Sequence, residues 1–295
     1  MSRVLRDRYV VVGHPVEHSR SPAIHARFAE LTGEAIHYGR LLAEPGRFVE
    51  TLQGFAASSA EGLGPARGCN ITVPFKFEVP ALAARLSPRA RLAQAANTLR
   101  FEPAEAGGWL ADNTDGAGLV RDLMHNAGID LRGRRLLLVG AGGAAAGAMG
   151  PLIDAGLEQL ALCNRSIDKA AALVERHAPL AAQRGVELAA CALDAAPGGF
   201  DIVVNATAAS LAGAGVPIAG RVLRAGGVAL DMMYGAPARP FLQWAREHGA
   251  TPRDGLGMLV EQAAEAFLVW RGLRPPTAEV LREQRHALDA QAPVR

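Results

Sequence analysis

The chain has 295 residues, 49% hydrophobic and 20% charged, the length of two ordinary domains and the balance of a soluble globular protein. Its formal net charge of +2 is too mild to imply a nucleic-acid or membrane partner. The three cysteines, Cys69, Cys163 and Cys191, are widely spaced with no CxxC pair; they suggest neither a disulfide framework nor a zinc site and fit a reducing cytoplasm. No signal peptide, membrane span or internal repeat is predicted.

In chain order the pattern is strand then helix, repeated. RYVVVG, ending at Gly13, is a β-branched run and reads as a buried strand. SPAIHARFAELTG follows as a helix, with Ser21 as the expected N-cap, Pro22 at the first helical position and Gly33 as the stop. AIHYGRLLA reads as a strand, EPGRFVETLQGFAAS as an amphipathic helix, and ARGCNITV as a third strand. ANTLRFE and GGWLAD are the arms of a hairpin around Pro103 to Gly108, and Asp115 to Gly128 is an amphipathic helix that Asp115 is expected to cap. Such alternation predicts an α/β fold with a mostly parallel sheet covered on both faces.

A second unit opens with RRLLLVGAGGAAAGAMG. LLLV is a buried strand, Gly140-Ala141-Gly142-Gly143-Ala144 is a tight turn, and an Ala-rich helix follows. This is GxGxxA in a strand–turn–helix context, where glycine lets the backbone approach a pyrophosphate and the helix start supplies free N–H groups. The next strand ends at Asn164, followed by Arg165, Ser166 and Lys169. An NAD site wants an acid at that strand end; its absence, with Arg165 present, favours NADP. Two more strand ends, at Asn205 to Thr207 and at Asp231 to Tyr234, border the predicted ligand crevice.

Of the 31 basic residues only Lys76 and Lys169 are lysines. Guanidinium is effectively always protonated, whereas an ammonium can release a proton, so Lys76, at the end of CNITVPFK, is a candidate for proton chemistry. In GHPVEHSRSP, Ser19 and Ser21 stand just after a strand and can hold a carboxylate with neutral donors. His14, His18 and His25 lack an acid or cysteine at ligand spacing, and no metal is expected.

Taken together, GHPVEHSRSP, NITVPFK, AANTL, ADNTDGAG, GAGGAA, NRS and DGLGMLVEQAA follow one another as in the shikimate dehydrogenases, and the chain resembles that family from about Tyr9 to Gly272. The resemblance implies a substrate domain, residues 1–114 completed by 252–295, and a Rossmann-type NADP domain, residues 115–251, with the last helices returning to the first domain. It also implies reversible NADPH-dependent reduction of 3-dehydroshikimate to shikimate, in aromatic amino-acid biosynthesis. Lys76 and Asp115 would form the catalytic dyad. Ser19, Ser21, Thr72, Asn97, Tyr234 and Gln262 would bind substrate. Gly140, Ala141, Gly142, Gly143 and Ala144 would take the pyrophosphate of NADP, Asn164, Arg165, Ser166 and Lys169 its ribose phosphate, while Met232 and Gly255 would lie near its nicotinamide.

Hydride delivery to a ketone builds charge on oxygen, so a nearby cation and proton donor lower the barrier; Lys76 supplies both. Three positions depart from the family pattern. Ala26 stands where Asn is usual, Cys69 where Ala is usual, and Ser166 where Thr is usual; the first two should affect packing only, and Ser166 keeps the hydroxyl. An NAD-dependent quinate/shikimate dehydrogenase would want an acid where Asn164 stands, and the nearest, Asp168, is four residues on. A non-catalytic nucleotide-binding regulator would have lost Lys76 or Asp115. The expected assembly is a monomer or homodimer acting on small molecules, and the carboxyl end reads as a final helix and loose tail.

Overall fold

A computed structural model of the chain describes residues 5–207 and 218–291; the last four residues of the expected tail lie outside them. The chain separates into two compact units, Met1–Asp115 with Val260–Glu283 and Gly116–Leu259 with Gln284–Arg295.

The first unit is built on a six-stranded sheet in the order β2-β1-β3-β5-β6-β4. Its strands are β1 (Asp7–Gly13), β2 (Ile36–Leu42), β3 (Ala66–Ile71), β4 (Arg85–Leu86), β5 (Thr98–Arg100) and β6 (Leu110–Asp112). β1 pairs in parallel with β2 and β3, and the expected hairpin β5–β6 adds antiparallel pairing, Leu99 opposite Ala111. Val10, Val11 and Val12 are buried, as a β-branched central strand requires. Helices α1 (Ser21–Thr32) and α2 (Phe48–Ala57) are the crossovers between the parallel strands, and Phe48 stacks on Phe75 with centroids 4.5 Å apart.

Two small elements carry no periodicity that sequence can show: β4, two residues long, and α3 (Pro88–Ala93), whose N-cap Ser87 accepts the Ala90 N–H. Late in the chain, α8 (Leu256–Arg271) brings Trp270 back onto the sheet, where its Nε1 donates to the Leu99 carbonyl at 2.9 Å. Gly68 makes room for that contact, because a Cβ there would stand 2.4 Å from the Leu99 oxygen and 2.7 Å from Trp270 Nε1.

The second unit is a fully parallel sheet in the order β12-β11-β10-β7-β8-β9. The strands are β7 (Arg135–Val139), β8 (Gln159–Asn164), β9 (Glu187–Ala192), β10 (Phe200–Asn205), β11 (Leu223–Asp231) and β12 (Thr251–Arg253). Read from β7 outward, this is the doubly wound dinucleotide-binding order, with the direction of winding reversing between β7 and β10. α5 (Gly143–Asp154) and α6 (Ile167–Arg184) follow β7 and β8, and α7 (Arg239–Glu247) precedes β12. β9 escapes a pattern reading because half of it is alanine, which has little strand preference, and β12 because it is a three-residue edge containing Pro252.

α4 (Asp115–Arg121) opens the helix expected to run to Gly128, but a π turn over Asp122–Asn126 ends it. That turn buries Asp122 completely, 3.2 Å from Arg253, and Gly257 is required beside it because a Cβ there would meet the Asp122 carboxylate at 1.9 Å. The expected final helix is α9 (Ala278–Asp289). Among the described residues no helix is long and apolar enough to cross a membrane.

Candidate active site

In the first unit the strands β1 and β3 end side by side, and polar residues gather just past those ends. After β3, Thr72 to Pro74 lead into a single 3₁₀ turn, Phe75–Phe77, that carries Lys76. Burial of Phe75 against Phe48 anchors the turn, and the Lys76 carbonyl accepts the Ala96 N–H at 2.9 Å. Lys76 Nζ donates to Asp115 Oδ2 at 2.6 Å, with the lysine side chain 14% exposed and the carboxylate 1%. Ion pairing in so dry a place costs desolvation, offset only when the remaining lone pairs are also satisfied.

Asn97 supplies that second bond: its Nδ2 donates to Asp115 Oδ1 at 2.9 Å. The orientation of this amide is set by the backbone, since Asn97 Oδ1 accepts the Thr114 N–H at 2.8 Å and must therefore be the oxygen. Its Nδ2 also faces Thr114 Oγ1 at 3.0 Å and Gln262 Oε1, on α8, at 3.1 Å. Asp115 does not cap its own helix, contrary to expectation. Asn113 Oδ1 takes the Asp115 N–H at 3.2 Å, leaving the Asp115 carboxylate to Lys76 and Asn97.

The serine loop is held separately. Ser19 Oγ accepts the Ser21 N–H at 3.3 Å, and Arg40 donates to the Ser19 carbonyl at 2.6 Å. Ser21 is the first residue of α1 and not its N-cap, which is Arg20; Ser19 is the hydroxyl that receives a helix-start N–H. Thr72 packs against Gly13 so closely that a Cβ on Gly13 would lie 2.2 Å from the Thr72 methyl. The structure thus links Lys76, Asp115, Asn97 and Gln262 by direct bonds, and holds Ser19, Ser21 and Thr72 at the neighbouring strand ends.

In the second unit the glycine turn lies at the carboxyl end of β7. Gly140 has φ +108°, a conformation L side chains rarely adopt, and a Cβ there would stand 3.0 Å from the Thr207 methyl. Gly142 is the N-cap of α5, exposed, with nothing within 4 Å of a Cβ, and the first turn of α5 contains no acid. Ala141, Gly143 and Ala144 are half-buried around it. A tight turn opening to solvent at a helix start fits a dinucleotide pyrophosphate.

At the end of β8, Asn164 Nδ2 donates to the Ser166 carbonyl at 2.9 Å and ties the loop back. Arg165, Ser166 and Lys169 are exposed. Ser166 occupies the N-cap position of α6 but its side chain caps nothing, so that hydroxyl is not committed to the helix. No carboxylate occupies the strand end, which suits a 2′-phosphate better than a ribose hydroxyl. On the other side of β7, at the ends of β10 and β11, Asn205 and Asp231 are register partners and bond to each other at 3.1 Å, and Asp231 Oδ1 accepts the Met233 N–H. Gly255 sits against that turn; a Cβ there would meet the Met232 carbonyl at 2.2 Å. Met232 is buried and Tyr234 half-buried, both in this second unit.

Three family descriptions match the sequence: the shikimate dehydrogenase substrate binding domain over residues 11–99, shikimate / quinate 5-dehydrogenase over 122–213, and the shikimate 5'-dehydrogenase C-terminal domain over 255–283. A shikimate dehydrogenase (NADP(+)) of Methylibium petroleiphilum is 67% identical over 96% of each chain. The chain belongs to the shikimate dehydrogenase family. Among solved structures, a shikimate 5-dehydrogenase from Thermus thermophilus in complex with shikimate is 32% identical, with a TM-score of 0.78 over 96% of this chain and 99% of that one. A shikimate dehydrogenase in complex with NADP+ is 27% identical, with a TM-score of 0.80 over 96% of each chain.

The polar network around Asn97 extends to residues that sequence reasoning passed over. Asn70 on β3 takes the Tyr38 hydroxyl on its Oδ1 at 2.7 Å and donates to Thr98 Oγ1 at 3.0 Å; Thr98 in turn donates to Asn97 Oδ1 at 3.0 Å. Asn113 donates to the Ala95 carbonyl at 2.9 Å. The signal was available: asparagine is depleted in strands, and Asn70 stands inside a buried one. Burial pushes the Tyr38 phenol well above its ordinary value, so it stays a donor. His25 is fully buried and stacked on Tyr38 with centroids 4.2 Å apart, and burial pushes its imidazole down to about 3. The unusual Cys69 is fully buried in the core of this unit, where Ala or a small thiol fits, and Ala26 is exposed.

Proposed function

We propose that this shikimate dehydrogenase reduces the ketone of 3-dehydroshikimate to shikimate, reversibly and with NADPH, in the cytoplasmic route to the aromatic amino acids. The observation that carries this reading is the 2.6 Å pair of Lys76 with a carboxylate that is 1% exposed and shared with Asn97. The first unit takes the substrate and the second takes NADP, as a monomer or homodimer.

NADPH, when bound, supplies the hydride. Every other task falls to the chain. Lys76 Nζ carries the proton that the new hydroxyl needs, so the C–H and O–H bonds are completed by one hydride and one proton, and solvent restores the ammonium. Asp115 keeps the ammonium oriented through Oδ2. Asn97 and Gln262 hold ring hydroxyls, and Ser19, Ser21 and Thr72 hold the carboxylate. The Gly140–Ala144 turn receives the pyrophosphate, and Asn164, Arg165, Ser166 and Lys169 the ribose phosphate, with Met232 and Gly255 beside the nicotinamide.

Steady-state rates with shikimate and quinate, each against NADP+ and NAD+, test the assignment. Shikimate with NADP+ is expected to exceed quinate with NAD+ by at least about 10²-fold in kcat/KM, since sites built around polar groups reject partners that leave those groups unpaired. Comparable efficiency with quinate and NAD+ overturns it.

A further inference from the structure

Arg89, in the first turn of α3, belongs to no motif, yet it touches two of the elements that carry the site. Its Nε and Nη2 donate to the two oxygens of Asp112, at 2.7 and 2.6 Å, and its Nη1 donates to Glu265 on α8 at 2.9 Å. Asp112 ends β6, three residues before Asp115. Its Oδ1 also accepts the Asn113 N–H at 2.7 Å, and its carbonyl accepts the Asn97 N–H at 3.1 Å. Ser87, the N-cap of α3, donates its hydroxyl to the same carboxylate. Burial pushes the Asp112 carboxyl upward, and the Arg89 bonds with the Ser87 and Asn113 donors together hold it below its ordinary value.

On the other side, Glu265 lies one helical turn beyond Gln262, a spacing that puts both on one face of α8. Arg274 closes the cluster by donating to Glu265 at 2.5 Å and to Glu261 at 2.6 Å. One planar guanidinium therefore bridges the strand end that presents Asp115 and the helix that presents Gln262. Asn97 spans the same gap directly, donating to Asp115 Oδ1 and to Gln262 Oε1.

We infer that Arg89 is a positioning residue of the shikimate reaction: through Asp112 it fixes the turn that aims Asp115, and through Glu265 it fixes the face of α8 that offers Gln262. This rests on the proposed function for the identity of the reaction, but the mechanical coupling does not. Lysine cannot replace it, because a single ammonium cannot make the two parallel bonds to Asp112 and reach Glu265 as well.

Wild type, R89K, D112N and E265Q are compared in steady state with shikimate and NADP+, and wild type and R89K by backbone hydrogen exchange. R89K is expected to lose at least about tenfold in kcat and to raise the shikimate KM, because a displacement near 1 Å costs up to about 10²-fold, with the NADP+ KM within about twofold. D112N should act mainly on kcat, and E265Q mainly on the shikimate KM. In R89K, exchange should quicken in both residues 112–116 and residues 261–266 and stay unchanged in 135–139. A folded R89K whose kcat and shikimate KM stay within about twofold of wild type shows a purely structural role and overturns the inference. So does quickened exchange in one segment or in neither. If wild type itself fails to turn over shikimate, the functional reading fails, and the exchange result alone decides the coupling.

Discussion

The two sheets present their carboxyl ends to ligands in different ways. In the first unit the strand ends carry side chains bonded to one another: Lys76 to Asp115, Asp115 to Asn97, Asn97 to Gln262. In the second, the end of β7 carries bare backbone: a positive-φ Gly140, an open Gly142 and a helix start free of acids. A substrate recognised and protonated by side chains needs a rigid polar network, whereas a pyrophosphate needs backbone N–H groups and room. Substitutions should therefore fail differently in the two units, by loss of chemistry in the first and by loss of cofactor affinity in the second.

The largest expected effect is in the first unit. Asp115→Asn keeps the size but removes the charge that orients Lys76, and should lower kcat by about 10²- to 10⁴-fold, the span of positioned acid–base catalysis, with the NADP+ KM unchanged. Gly140→Ala in the second unit should do the reverse. It forces a side chain into a left-handed conformation beside Thr207, costs about 1–3 kcal/mol of stability, and should raise the NADP+ KM with little change in the shikimate KM. Thermal melts paired with the two KM values check it. If Gly140→Ala changes only the shikimate KM, the contrast between the units is wrong.

How much of this was legible depends on what each part is made of. The turn at Gly140 could be read from residue types alone, because its positive φ and the close approach of Thr207 favour glycine. Lys76 and Asp115 stand 39 residues apart; composition marked the lysine, but only family resemblance paired the two. The capping roles were misplaced by one or two positions, at Ser21 and at Asp115, because Ser19 and Asn113 can do the same job and tertiary demand on the carboxylate decided between them. Arg89 was invisible among so many arginines, since nothing local distinguishes a clamp from a surface charge. The short edges β4 and β12 and the alanine-rich β9 lacked any period to read.

A smaller effect sharpens the cofactor side. Arg165→Ala should raise the NADP+ KM by about 10-fold or more, as expected for losing a charge-assisted bond worth about 1.5–3 kcal/mol, and leave the NAD+ KM within about twofold. Equal effects on both cofactors would remove Arg165 from the phosphate site.

The smallest effect concerns stability. His25 is held neutral in the fold, down to about 3 by burial, whereas the unfolded chain protonates it near the ordinary value of about 6.5. Between those values the unfolded state binds the extra proton, so stability falls as pH drops from about 6.5 towards 3, by at most about 1.4 kcal/mol per pH unit. Denaturant unfolding of wild type and His25→Gln at pH 7 and pH 5 should show a shallower loss in the variant; parallel losses would mean His25 is not the group responsible.

The claim on which the rest depends is that Lys76 gives and takes a proton and does more than supply charge. Lys76→Arg separates the two, because arginine keeps the cation beside Asp115 but does not release a proton at neutral pH. Measured with shikimate and NADP+ over a pH series, the variant should lose about 10²-fold or more in kcat while the shikimate KM moves only a few-fold. A Lys76→Arg enzyme with near wild-type kcat and a raised shikimate KM would make Lys76 a binding residue and contradict the account.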